Sequence, residues 1–436
     1  MRRFSSALLL TALVGPALAA QEAAAPTGPL TLTQAIELGR RRAIGAVISR
    51  LNTRVADERR NQRRADLLPQ VNATARYSRQ TLNLDEFGIQ FATGRTDPFD
   101  LYNLRLRASQ TLFDASAFAR LRAASDSAAA AGLDAQAAGE LAGMVSGLAY
   151  LRVLGTEETV RARQADSTIA ATLLDQAHQL VAAGVSPAID ETRSQVNLAA
   201  VATQLTVARN QHERARLDLA RALDLPQGER LVLVDSLTIS ALDVPASEPE
   251  AVRFALEHRP ELGAERERTR AIRRSLRAIG YENLPSLSLT GEYGGSGRQV
   301  RDLNDTYLVA LTLSVPILDG FKRQNRHQEQ EARLEAQQVR EHDLAAQVEN
   351  DARGALLDLG SAREAAVLAE ERVRLAEQEL AQADERFQAG VAGSVETTNA
   401  QSSLLQARDA LIQSRLAYGT ARIGLYRALG VLDQLH

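Results

Sequence analysis

The sequence predicts a mainly α-helical protein with a small membrane β-barrel portion, built from two structural repeats. Two helical patterns, Asp114 to about Ala183 and Gly320 to about Ala389, each run for about seventy residues without a proline. At 1.5 Å per residue such a helix spans roughly 100 Å, far beyond the globular average of about 11 to 12 residues, so it belongs to a coiled coil or a stacked bundle. Both patterns end in one phrase: Ala183-Gly184-Val185-Ser186-Pro187-Ala188-Ile189-Asp190, and its counterpart from Ala389 to Glu396, 206 positions later. A displacement near half the chain length marks a duplication. Four shorter stretches alternate apolar and polar side chains with a period of two, as strands do.

Composition narrows the function classes. The 436 residues carry a net charge of −3, which leaves no basic footprint for nucleic acid. Aromatic residues are only 4% and Trp is absent, so Ala supplies much of the apolar content and the helical interfaces are thin. The absence of Cys excludes disulfides, thiolate metal sites, a Cys nucleophile and a lipid anchor on a processed N-terminal Cys. Met1-Arg2-Arg3, the apolar run Ala7 to Val14, the Gly15-Pro16 break and Ala17-Leu18-Ala19 predict a secretory signal peptide over residues 1–20. No later stretch has the roughly 18 apolar residues of a transmembrane helix.

In chain order, Gln21 to Pro29 is a lead-in, and a single helical pattern, capped near Thr31, continues to about Leu67 until Pro69 ends it. Val71, Ala73, Ala75 and Tyr77 then alternate with Asn72, Thr74, Arg76 and Ser78; after a polar loop, Tyr102, Leu104, Leu106 and Ala108 alternate with Asn103, Arg105, Arg107 and Ser109. The long helix and its tip follow, and a second helix runs from Pro187 to Ala222. The second half repeats the order: helices from Glu250 to Arg259 and Glu261 to Ile279, Leu284-Pro285 as the stop, two strands, the long helix, the tip and a last helix. Gly294-Gly295-Ser296-Gly297 reads as the hairpin loop between the last two strands. Arg221-Ala222-Leu223 and Arg427-Ala428-Leu429 close the two halves, again 206 apart. The expected organisation is a first repeat over residues 21–226 with strands at about 70–80 and 101–112, a connector over 227–249, and a second repeat over 250–436 with strands at about 286–296 and 305–316.

Ala362, Ala366, Ala369, Val373, Ala376, Leu380, Ala383 and Phe387 keep a strict heptad seam, whereas Leu334, Val339, Leu344 and Val348 drift from it, which predicts a change of packing partner along the helix. The four strands have the length of membrane-spanning ones, yet a barrel needs about eight. An open edge in lipid leaves backbone groups unsatisfied, so other copies must complete the sheet, and three chains would give twelve strands. Arg105, Arg107 and Glu292 would then line a wet lumen.

This combination resembles the TolC-like outer-membrane efflux protein family over Leu32 to about Leu432. The duplicated Gly-Val tips with their acids, the Leu-Pro before the first strand of each half and the paired Arg-Ala-Leu ends carry the likeness. The resemblance implies a homotrimer in the outer membrane, extending into the periplasm, with a twelve-stranded β-barrel and a twelve-helix α-barrel. Its partners would be outer-membrane lipid, a periplasmic adaptor and an inner-membrane pump or ABC exporter, as in tripartite efflux or type I secretion. It implies an exit duct for small molecules or proteins, with no enzyme activity and no cofactor. Glu396 and Asp190 match acidic positions near the family's periplasmic mouth. Asn399 and Ala392 stand where well-known members carry a second acid and a locking arginine, which argues against a tightly latched mouth.

Each of these residues has a plainer role beside it. Asp190 and Glu396 sit in the first turn of a helix, where an acid also complements the dipole. Gly184, Val185, Gly390 and Val391 are turn residues or adaptor contacts, and Phe387 is a seam residue or a gate. His178, His212, His258, His327, His342 and His436 are scattered without metal-ligand spacing, so no metal site is expected. The competing reading is a periplasmic coiled-coil adaptor or scaffold without a pore, which predicts one hairpin where this chain has two.

Overall fold

The computed structural model describes residues 29–84, 94–226, 231–238 and 247–435. The signal peptide expected at residues 1–20 lies outside them. The first half holds α1 (Leu32–Arg42), α2 (Ile44–Ala65), β1 (Gln70–Gln80), β2 (Phe99–Phe113), α3 (Ala115–Ala182) and α4 (Ala188–Ala222). The second half runs in the same order: α5 (Glu248–His258), α6 (Pro260–Tyr281), β3 (Ser286–Gly297), β4 (Asn304–Ser314), α7 (Lys322–Gln388) and α8 (Ser394–Leu429).

The single helix expected from Thr31 to Leu67 is two. Ala43 leaves helical geometry at φ −53°, ψ 136°, separating helices of 11 and 22 residues. Arg50 reaches back and donates to the Arg40 carbonyl at 3.1 Å, so the break does not strand that acceptor. The second half breaks at the same place, between helices of 11 and 22 residues, and there Pro260 announces it. The kink lets α1 lie tightly on α3: a Cβ on Gly39 would meet the Ser146 side chain, and one on Gly143 would come within 3.2 Å of the Ile36 carbonyl.

The strands form one antiparallel sheet in the order β1-β2-β3-β4. Register places Ala73, Leu106, Tyr293 and Tyr307 in one row, and Asn72, Arg107, Glu292 and Leu308 in the next. One face is therefore apolar and the other polar, apart from Leu308 and Ala310, which interrupt the polar face on the edge strand. Arg107 donates to Glu292 at 2.7 Å and Arg105 also pairs with it, so the three charges expected in the lumen neutralise one another in part. The Gly294–Gly297 run is not the hairpin loop; it is the end of β3, paired to β2 and β4. Gly294 lies so close to β2 that a Cβ would collide with the Leu104 carbonyl and the Arg105 backbone. Glycine here serves close strand approach, and the turn falls after it.

Below the sheet, α3 packs successively on α2, α6, α1, α4 and α8, while α7 packs on α6 and α5 before joining α8. The expected exchange of partners along α7 is thus observed: Val348 is buried against the α5 side, and Ala366, Ala369, Ala376, Ala383 and Phe387 are buried in the α8 seam. The largest core lies where α1, α3, α4, α8 and the connector meet, around Tyr150, Leu219, Leu223 and Ile423. Tyr150 donates within 2.8 Å of both the Leu30 carbonyl and Asp235, stapling the connector to the residues just before α1.

Nearby, Arg427 at the end of α8 contacts Glu140 of α3 at 3.3 Å and Glu261 of α6 more closely. Burial pushes the Glu140 carboxyl up to about 7, because Arg427 is shared and Glu261 adds repulsion. Burial works against the Glu261 charge as well, but its hydrogen bond from Arg427 holds it below the usual carboxylate range. A carboxyl whose folded-state value is raised from 4.5 to about 7 binds its proton more tightly in the folded chain. Its contribution to stability is complete below the unfolded value and is lost as pH rises toward 7. Thermal denaturation followed by helical circular dichroism is expected to show stability falling across this window by up to about 1.4 kcal/mol per pH unit, with Glu140→Gln flattening the slope. An unchanged slope in that variant would refute the assignment.

Candidate functional site

The two hairpins, α3–α4 and α7–α8, end side by side in the duplicated tips. Each turn is a Schellman motif, in which the residue after the helix is left-handed and returns two orphan carbonyls to hydrogen bonding. Gly184 has φ +72° and Gly390 φ +70°. Val185 N–H donates to the Leu180 carbonyl at 2.9 Å, and Val391 N–H to the Arg386 carbonyl at 3.1 Å. The tips touch, since a Cβ on Gly390 would lie 3.4 Å from Val185. Val185 and Val391 themselves are exposed.

The two matched acids differ. Asp190 is only 4% exposed and accepts a hydrogen bond of 2.6 Å from the Ser394 hydroxyl in the first turn of α8, with Arg193 at 3.7 Å. It therefore ties one tip to the other. Glu396 is exposed and pairs with Arg386 of α7 at 2.9 Å. Neither helix carries a side-chain N-cap bond, so the acids do not cap in the strict sense. Asn399 faces solvent one turn further along α8. Phe387 is 1% exposed and fills the α7–α8 seam, so its ring is not displayed at the surface of the chain.

Above the tips lies a polar cluster that sequence reasoning missed. Asp166 of α3, 1% exposed, receives Arg163 at 3.1 Å and Arg408 of α8 at 2.8 Å. Arg163 continues to Asp409 at 2.5 Å. Gln401 donates to the Asp166 carbonyl at 3.2 Å and accepts from Asn197 of α4 at 2.7 Å. The cluster stands roughly 24 Å above the end of α3 on its 1.5 Å rise. With the Asp190–Ser394 bond it gives two levels at which the hairpins are fastened together. Pairs some 240 residues apart leave no local signal; only the Arg-x-x-Asp spacing of Arg163 and Asp166 was visible. Among the described residues, no group of three or more His, Cys, Asp or Glu side chains is placed to hold a metal ion.

Residues 36–224 and 251–431 match the outer membrane efflux protein family. The chain belongs to that family. It is 26% identical over 379 residues to the pyoverdine export outer membrane protein OpmQ of Pseudomonas aeruginosa, covering 84% of this chain and 78% of that one. The outer-membrane channel OprN superposes with a TM-score of 0.79 at 20% identity, covering 92% of this chain and 89% of that one. The Campylobacter jejuni CmeC outer membrane channel does so with a TM-score of 0.80 at 16% identity, covering 92% and 85%. This efflux protein is accordingly an outer-membrane duct with a periplasmic helical extension, and the reading as a pore-less adaptor falls.

Cutting the buried cluster should cost more than cutting the tip bond. Arg408→Ala leaves the buried Asp166 carboxylate with Arg163 alone and is expected to destabilise the hairpin contact by about 3 kcal/mol, the low end for a broken buried pair. Ser394→Ala is expected to cost about 1–3 kcal/mol and to speed amide exchange in the tips alone. Hydrogen exchange resolved along α3 and α8 separates the two; equal and global acceleration in both variants would contradict the two-level fastening.

Proposed function

We propose that three copies of this efflux protein close into one continuous tube. The observation that carries this is a four-stranded sheet, apolar on one face, whose outer strands β1 and β4 have no partner on their far edges among the described residues. Pairing β4 of each copy with β1 of the next satisfies those edges and gives twelve strands, as hydrocarbon requires. The four long helices per chain become a twelve-helix periplasmic barrel. An open groove lined by Gly354, Ala355, Ala362, Ala417 and Ala421 between α7 and α8 would seat a helix of the neighbouring copy.

In this assembly the tips form the periplasmic mouth. The exposed Glu396 and Asn399 of α8 line it, while Asp190 and Phe387 hold the hairpins that frame it. Gly184, Val185, Gly390 and Val391 form the rim that meets a periplasmic adaptor, through which an inner-membrane pump or ABC exporter delivers cargo. Their support is placement: two exposed valines, each following a left-handed glycine, at the ends of the long hairpins. A ring of three Glu396 carboxylates would draw cations into the constriction.

Outer-membrane fractions should contain a heat-resistant trimer, and a soluble periplasmic monomer would defeat the tube. Glu396→Gln is expected to reduce cation preference and divalent block in single-channel recordings; unchanged selectivity removes Glu396 from the mouth. Val185→Asp with Val391→Asp should lower export about ten-fold, the loss of a modest interface hot spot, with trimer and membrane insertion intact. Full export by that variant would exclude the rim as the adaptor contact.

A further inference from the structure

A collar of positive charge surrounds the helix ends where they meet the sheet. It comprises the last turns of α2 and α6, the first turns of α3 and α7, and the short joints beside them. Residues 56–69, 114–124, 272–285 and 315–331 hold twelve Lys and Arg against eight Asp and Glu, a net +4 in a chain whose total is −3. The acids are already engaged. Asp57, Asp66, Asp114 and Asp319 pair with Arg60, Arg63, Arg120 and Arg323, and Glu282 takes both Arg120 and Arg326. Glu329 and Glu331 pair with Arg333 and His327, and Glu58 accepts from Asn61. Left over are Arg59, Arg64, Arg122, Arg273, Arg277 and Lys322, all exposed and none with an acidic partner among the described residues.

Between this collar and the strands lies an exposed apolar rim. Ile317 is 92% exposed and Leu318 83%, with Phe321 in the same joint, and Leu68, Tyr281 and Leu284 are exposed in the joints that lead into β1 and β3. A band of apolar and aromatic side chains flanked by unpaired cations is the pattern of a membrane interface, in which the rings and aliphatic groups enter the headgroup layer and the cations meet phosphate. We propose that the collar binds the headgroups of anionic glycerophospholipids in the periplasmic leaflet, anchoring the duct at a fixed depth. The proposal rests on the strands crossing the outer membrane. Its chemistry is the phosphodiester and net negative charge of the headgroup, which Arg donors engage directly.

The test is the full chain reconstituted in bilayer discs of phosphatidylcholine and phosphatidylglycerol at three to one, with the lipid retained around the protein measured by mass spectrometry. Native protein is expected to enrich phosphatidylglycerol, by roughly five-fold for each cation engaged at low ionic strength, and to lose the enrichment in about 1 M salt. Arg59→Gln/Arg64→Gln/Arg273→Gln/Arg277→Gln should return the ratio toward the input. Arg340→Gln/Arg363→Gln/Arg372→Gln, which removes exposed cations far down α7, should not.

Equal enrichment in native and collar-variant protein overturns the proposal. So does a collar variant that keeps its lipid ratio but changes anion conductance, which would place these side chains in the lumen. A collar variant that no longer assembles like the native protein would assign them to contacts between copies, again overturning it. Failure of native protein to enter the bilayer at all is a separate outcome that defeats the membrane reading itself.

Discussion

Hydrocarbon cannot hydrogen-bond a peptide group, and that single constraint organises the molecule. Among the described residues, the four-stranded sheet leaves a row of N–H and C=O groups on the far side of β1 and another on the far side of β4. In water such edges are a hazard; in lipid each unsatisfied group costs several kcal/mol. The chain alone is therefore an incomplete object at its membrane end. The same incompleteness appears lower down, where α7 displays Val339, Leu357 and Leu368 to solvent and an open groove runs along α7 and α8. Sheet edges and helix faces are unfinished on the same molecule, which is what a sector of a tube requires.

The helices meet a different constraint. A 68-residue helix cannot be held by one core, so α3 and α7 exchange partners along their length. Alanine at the seam brings backbones close and keeps the wall thin, but it buries little area per residue. Specificity of register then falls to polar contacts: Arg427 with Glu140 and Glu261 near the connector, Asp166 with two arginines further down, and Asp190 with Ser394 at the tip. Buried ion pairs add little net stability but penalise any arrangement that separates them. In a wall of interchangeable alanines, that penalty selects one alignment of the hairpins.

What could be read from the sequence followed from periodicity and repetition. The long helices, the alternating strands and the two tips announce themselves because each is a local pattern, written twice. The kink at Ala43 escaped because only the second copy marks it, with Pro260; the first makes the same break with unremarkable residues and an arginine that caps the freed carbonyl. The glycine run in β3 was misleading for the opposite reason, as glycine usually signals a turn and here permits close approach of strands. Arg408, Ser394 and Arg386 acquire roles only through partners brought together by the fold.

The duplicated tips show how one phrase acquires two uses. Both copies need the left-handed glycine, because both hairpins must reverse within a few residues. Beyond the glycine the copies differ by small steps: Ala188 in the first tip corresponds to Ser394 in the second, and Asp190 to Glu396. The shorter acid is drawn inward, where the serine of the other tip meets it, and the longer one stays outside with Arg386. The two differences act together, for the bond across the tips joins the hydroxyl at 394 to the acid at 190. A symmetric pair could not both bind each other and leave a carboxylate facing outward. Divergence after duplication thus let one acid fasten the hairpins to each other while the other stayed on the exposed side, paired within its own hairpin to Arg386.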